Sequence, residues 1–137
     1  MGSHRSPAQT RSTDRGSISA FAAGLVIVFI ACAALVVDGG RFVAARSNAA
    51  DAAENAARAG AQEVRRLREG ILEVDPDRAA ARAEAFLVES GFIGTASADT
   101  SRVTVTVTGS VAPVLLGAFG VGARAISVTR SATPFDR

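Results

Sequence analysis

Residues 18–37 read ISAFAAGLVIVFIACAALVV, a run of twenty residues without a charge. At a rise of about 1.5 Å per residue, a helix of this length crosses the hydrocarbon core of a bilayer, which is about 30 Å thick. The stretch predicts a transmembrane helix over residues 17–38. The alternative is a buried helix in a soluble protein, but that helix needs a surrounding shell that 137 residues hardly provide.

Charges on the two sides of this run predict its orientation. Arg5, Arg11 and Arg15 precede it, opposed by Asp14, and Asp38 is the first residue after it. Because basic residues are retained on the cytoplasmic side, we expect a cytoplasmic N-terminus and an extracytoplasmic C-terminal part of a single-pass protein in the cytoplasmic membrane. Residues 1–16 are polar and are expected to form a disordered cytoplasmic tail.

Two processing signals compete with a retained anchor. Ala31 and Ala33 form an A-x-A pattern for signal peptidase, and Cys32 ends a weak lipoprotein box. The apolar run continues through residues 34–37, beyond either cut, whereas an apolar signal region normally ends before its cleavage site. We therefore favour a retained anchor, with a cleaved signal peptide and a lipoprotein as alternatives.

Residues 39–73 predict a continuation of the helix beyond the membrane, since alanine dominates them and proline is absent. Gly39 and Gly40 each cost about 1 kcal/mol in a helix interior, so a bend is expected there. One face carries small side chains at four-residue spacing: Ala45, Ala49, Ala53, Ala57 and Ala61. This spacing predicts a helix-packing face through which the protein makes its functional contacts. Alternatively, the alanines only raise helix propensity at solvated positions.

Residues 74–137 predict a small head of mixed structure. Asp75 and Pro76 start a helix that runs to about Ser90, with Ala79, Ala83, Phe86 and Leu87 on its buried face. The alternation RVTVTV at 102–107 and the segment AISVT at 125–129 predict two strands, with a weaker strand at 95–98 and an apolar turn at 113–119. The predicted fold class is α+β: a long N-terminal helix followed by a small head in which one or two helices pack on an antiparallel sheet.

The sequence argues against catalysis. The one histidine, His4, lies in the tail, and one cysteine with one histidine makes no plausible zinc site. Asp75 and Asp77 form a carboxylate pair, but Asp75 is better explained as a helix cap, and hydrolysis by paired carboxylates would need a cleft that so small a domain can hardly form. We expect no enzyme activity, cofactor or small-molecule substrate, and no nucleic-acid binding, because the arginines are interleaved with acidic residues and the chain has no Tyr or Trp for stacking.

Several segments together resemble the TadE/TadG-like proteins of Flp (Tad, type IVc) pilus assembly, particularly actinobacterial ones. They are RGSISAF at 15–21 entering the apolar run, VDGGR at 37–41, the alanine-rich stretch 44–61, and a VTVTVT strand followed by an apolar turn and a closing strand that ends at Ser131 and Ala132. The resemblance implies a pseudopilin-like component of the cell envelope that assembles a pilus or secretion machine. Its partners would be other pseudopilins and the membrane platform. The alternative function is an anchored or secreted accessory protein that binds an envelope partner outside any pilus.

One position departs from the processed members of this family, which are cut after a glycine and carry Glu at the fifth mature position. A cut between Gly16 and Ser17 would place Phe21 there, and no acidic residue occurs between Gly16 and Asp38. The TadG-like members, which keep their anchor, are therefore the closer comparison, and we expect the N-terminus to be retained.

Overall fold

A computed structural model describes residues 13–66 and 72–134, and one helix dominates it. Helix α1 (Thr13–Ala61) passes through the apolar run and through Gly39 and Gly40 without interruption. Helix therefore begins inside the segment 1–16 for which the composition predicts disorder, and residues 1–12 of that segment lie outside the described residues. The apolar part of α1 is long enough to cross a membrane and is 6% buried. Such exposure argues against the core helix of a soluble protein.

The expectation that this helix continues to residue 73 is wrong. After Ala61 the backbone leaves the helix, and β1 (Val64–Arg66) pairs antiparallel with β2 (Leu72–Val74). The reason is tertiary: the backbone hydrogen bond from Asp75 N to Glu63 O extends the hairpin, and the one from Val74 N to Thr100 O ties it to the turn between the later strands of the head. Helix propensities of a few tenths of a kcal/mol per residue are too weak to override such contacts.

The second helix follows its sequence signals. Helix α2 (Pro76–Glu89) has Asp75 at its N-cap, where the side chain accepts a hydrogen bond from Arg78 N at 3.4 Å. Gly91, with a φ of +75°, follows the C-cap Ser90 and turns the chain towards the sheet. The predicted face packs inward, and its members are buried except for the half-buried Phe86: Ala79, Ala83, Phe86 and Leu87.

A three-stranded antiparallel sheet completes the α+β head, with β3 (Ile93–Ala98), β4 (Val103–Val111) and β5 (Arg124–Ala132) in that spatial order. The alternation in β4 places Val103, Val105 and Val107 in the core at 0–1% exposure. The opposite face is polar, and the hydroxyls of Thr106 and Thr129 hydrogen-bond across β4 and β5 at 2.9 Å. The strand predictions at 95–98, 102–107 and 125–129 are confirmed.

The head lies along α1, which packs against α2, β4 and β5. Strand β4 starts near the end of α1, where Val103 Cγ1 lies 3.1 Å from the position that a Cβ on Gly60 would take. It ends at Val111, which shares a cavity with Leu35 and Phe42 of α1. The connection between β4 and β5, residues 112–123, therefore lies beside the end of the apolar run.

Candidate functional site

The predicted helix-packing face lies in the core of the protein. Its residues fall into one cluster with α2 and the sheet, and four of the five are at most 5% exposed, whereas Ala45 is half-buried: Ala45, Ala49, Ala53, Ala57 and Ala61. Ala52 and Ala56, beside them on the helix, are buried as well. The surface that these alanines form is covered by the chain's own head.

This burial corrects the interpretation of the face as a contact surface for partners. Small side chains on α1 allow α2 and the sheet to approach closely, and Gly60 shows how closely. A Cβ on Gly60 would stand 2.6 Å from the carbonyl oxygen of Ala79 in α2. The physical reason for the difference is that sequence spacing describes a small-residue surface but not which element covers it.

The surface that remains open on this part of α1 is polar. Asp51, Asn55 and Arg58 are exposed, and Glu54 is half-buried. Arg58 donates to the Glu54 carboxylate at 2.6 Å in an ion pair whose side chains are both about half exposed. In the apolar run, by contrast, large side chains are open to the surroundings, among them Phe21 at 73% and Phe29 at 66% exposure. The exposed surface of α1 is therefore apolar before Asp38 and, apart from the exposed Val43, mostly polar along the head.

The candidate processing site lies at the start of this apolar surface. Gly16 and Ser17 are both within α1, and Ser17 is exposed. Retention of the bond between them remains a prediction from the sequence. In the structure this peptide bond lies within the helix.

The role of Asp38 in joining α1 to the head was not predicted from the sequence. Among the described side chains it is the one charged group that is buried, at 7% exposure. Its Oδ1 accepts a hydrogen bond from Val114 N at 2.9 Å, and its Oδ2 accepts from Leu115 N at 3.0 Å and from Leu116 N at 2.7 Å. A single carboxylate therefore pairs three consecutive backbone N–H groups, and it joins α1 to a segment 76–78 residues further along the chain.

We call residues 112–123 the apolar loop, because they contain no charged side chain. Its centre is a 3₁₀ turn, Leu116–Phe119, which ends at Gly120 with a φ of +84°, in the left-handed region that glycine adopts without strain. The amides of Ala118, Gly120 and Val121 donate to carbonyls of the loop itself. Together with the three bonds to Asp38, these contacts pair six backbone N–H groups of the apolar loop.

A small cavity separates the apolar loop from α1. It is lined from α1 by Leu35, Asp38 and Phe42, and from the loop by Leu116 and Val121. Its volume of about 120 Å³ is well below the roughly 300–1,000 Å³ of pockets that bind drug-sized ligands. Beside it, the Arg124 guanidinium stacks over the Phe42 ring, 5.7 Å from its centroid.

A second carboxylate, that of Asp99, stabilises a turn of the head. In the turn between β3 and β4, the hydroxyl and amide of Ser101 and the amide of Arg102 donate to Asp99 Oδ1. The Ser101 hydroxyl is the largest cause that lowers the pKa of Asp99 below its ordinary value of 3.8. Within residues 13–66 and 72–134, no group of three or more His, Cys, Asp and Glu side chains is placed to hold a metal ion.

The segment that matches a known family covers most of α1 and the two residues after it. Residues 16–63, about a third of the chain, match the family described as Flp pilus-assembly TadE/G-like. No curated protein and no solved structure matches the chain. The matched segment contains the apolar run, Asp38 and the alanine face, and it stops before α2 and the sheet.

Proposed function

We propose, from the match of residues 16–63 to the Flp pilus-assembly TadE/G-like family, that the chain is a pseudopilin-like structural component of a Flp/Tad-type pilus or related secretion machine. The observation that carries the proposal is that the family match coincides with α1, the membrane-capable helix. Proteins of this family are generally structural and not enzymes.

Anchoring in the cytoplasmic membrane, with the head outside, is part of this proposal. It is supported by the exposed apolar side chains of α1 and by the three arginines that precede them in the sequence. In a chain whose Cys32 is replaced by Ser, a membrane-impermeant thiol reagent applied to intact cells should label Thr100→Cys and miss Ser12→Cys. Labelling of Ser12→Cys alone would reverse the orientation. N-terminal sequencing should find the tail retained, and a start at Ser17 would contradict that.

Contacts with other pseudopilins and with the membrane platform are proposed to use the exposed surface of α1 and the outer surface of the head. The alanine face is excluded from these contacts because the head covers it. The apolar run is suited to helix–helix contact in the membrane, since Ala20 and Gly24 are small residues four positions apart on one face of the helix.

The functional test is pilus assembly and co-purification. Deleting the gene should abolish or reduce pili, and the full chain should restore them and co-purify the platform proteins from membranes. A matched variant keeps the head and replaces residues 18–37 by an unrelated apolar segment of equal length. It should remain anchored but restore assembly poorly. Normal pili in the deletion strain, with no platform protein co-purifying, would favour an accessory protein that acts outside any pilus.

A further inference from the structure

The apolar loop carries a cluster of exposed hydrophobic side chains on the head. Val114, Leu115, Phe119 and Val121 are 42–61% exposed. Because exposed hydrophobic clusters rimmed by polar residues mark contact sites, this cluster indicates a surface that another apolar phase covers.

The position of the loop identifies that phase as lipid. Its 3₁₀ turn contacts α1, and Leu35, within the apolar run, lines a cavity with Leu116 and Val121. Ala34 is 1% exposed, in contrast to its neighbour Leu35 at 63%. The loop therefore lies beside the last turn of the apolar run, and its exposed side chains continue the apolar surface to which Leu35 belongs.

The arginines near the apolar loop are placed as expected for the boundary between lipid headgroups and acyl chains. Arg124 follows the loop directly, and Arg41 lies three residues after Asp38 on α1. Arginines at this level are suited to the phosphate groups of lipids while their apolar neighbours lie deeper.

The hydrogen bonds to Asp38 reduce the free-energy cost of placing the backbone of the apolar loop in lipid. At the edge of the hydrocarbon region an unpaired backbone N–H is costly, because little water is available to accept its hydrogen bond. Asp38 supplies acceptors to the amides of Val114, Leu115 and Leu116. Pairing these three amides therefore lowers the cost of placing the loop at this boundary.

We propose that the apolar loop inserts into the outer headgroup and acyl boundary of the bilayer, as a second membrane contact that fixes the head against the membrane surface. The proposal rests on the membrane anchoring described under the proposed function. Apolar side chains at such boundaries are typically buried by about 5–10 Å.

A single tryptophan tests the insertion, because the chain has neither Trp nor Tyr. Phe119→Trp, in the full chain reconstituted into vesicles, should emit at shorter wavelength than a solvated tryptophan and be quenched by lipids brominated on their acyl chains. Val114→Trp gives a second reading at another exposed position of the loop. The matched control is Ser97→Trp, which is exposed on β3 opposite Thr104, far from the apolar run, and should not be quenched.

Phe29→Trp, in the apolar run, separates this inference from the anchoring itself. Strong quenching of Phe29→Trp, with the two loop variants no more quenched than Ser97→Trp, would overturn the insertion and leave the anchor intact. No quenching of Phe29→Trp would overturn both. A wavelength shift in the loop variants that depends on protein density, without quenching, would assign the cluster to a second copy of the chain and overturn the lipid contact.

Discussion

Gly60→Ala tests the close approach of α1 and α2. The added Cβ would stand 2.6 Å from the Ala79 carbonyl oxygen and 3.2 Å from Ala83 Cβ. Ordinary contacts begin at 3.4 Å, so the backbone of α2 must retreat by about 0.8 Å. Overpacking of this kind costs about 1–3 kcal/mol, whereas replacing a helical glycine returns at most about 1 kcal/mol. Because the clash is with a backbone atom, which cannot turn away as a flexible side chain can, the upper part of that range applies, about 2–3 kcal/mol, and leaves a net loss of about 1–2 kcal/mol in the free energy that holds α2 on α1.

Hydrogen–deuterium exchange of the full chain in lipid nanodiscs measures this loss locally. If α2 opens by separating from α1, amides of residues 76–89 should exchange about 5- to 30-fold faster in Gly60→Ala. Gly40→Ala is the matched control, since it is the same substitution in the same helix but its Cβ would meet nothing within 4 Å. It should leave α2 unchanged and slow exchange around residue 40. Unchanged or slower exchange of α2 in Gly60→Ala would refute the close packing.

Three further predictions use the same preparation. Ala53→Leu, at a position with 0% exposure, should destabilise the head by about 1–3 kcal/mol in thermal unfolding, whereas Glu54→Ala should change stability by at most about 1 kcal/mol because its ion pair is exposed. Asp38→Asn replaces one acceptor oxygen by an N–H₂ donor, so amides 114–116 should exchange faster. The pKa of Asp99, measured from the chemical shift of its carboxyl carbon, should lie below 3.8, because its hydrogen bonds stabilise only the ionised form. The turn should therefore be intact above pH 3.8 and should loosen as the pH falls through the pKa of Asp99 in the folded protein.

Local physics explains why much of the fold could be predicted from the sequence. The apolar run is defined by length and the absence of charge, α2 by Asp75 and Pro76 at its start, and β4 by strict alternation of valine with threonine over its first six residues. Each of these signals acts between residues a few positions apart. The elements therefore form where local preference and burial agree.

Tertiary contacts decided the rest. The four-residue spacing of alanines determined that α1 has a face of small side chains, but the folding of the head onto α1 decided that α2 and the sheet cover it. In the same way the sequence placed a carboxylate at Asp38, whereas only the fold brought it to the amides of residues 114–116. Pairings across more than seventy residues depend on how complete elements pack, and no local pattern encodes them.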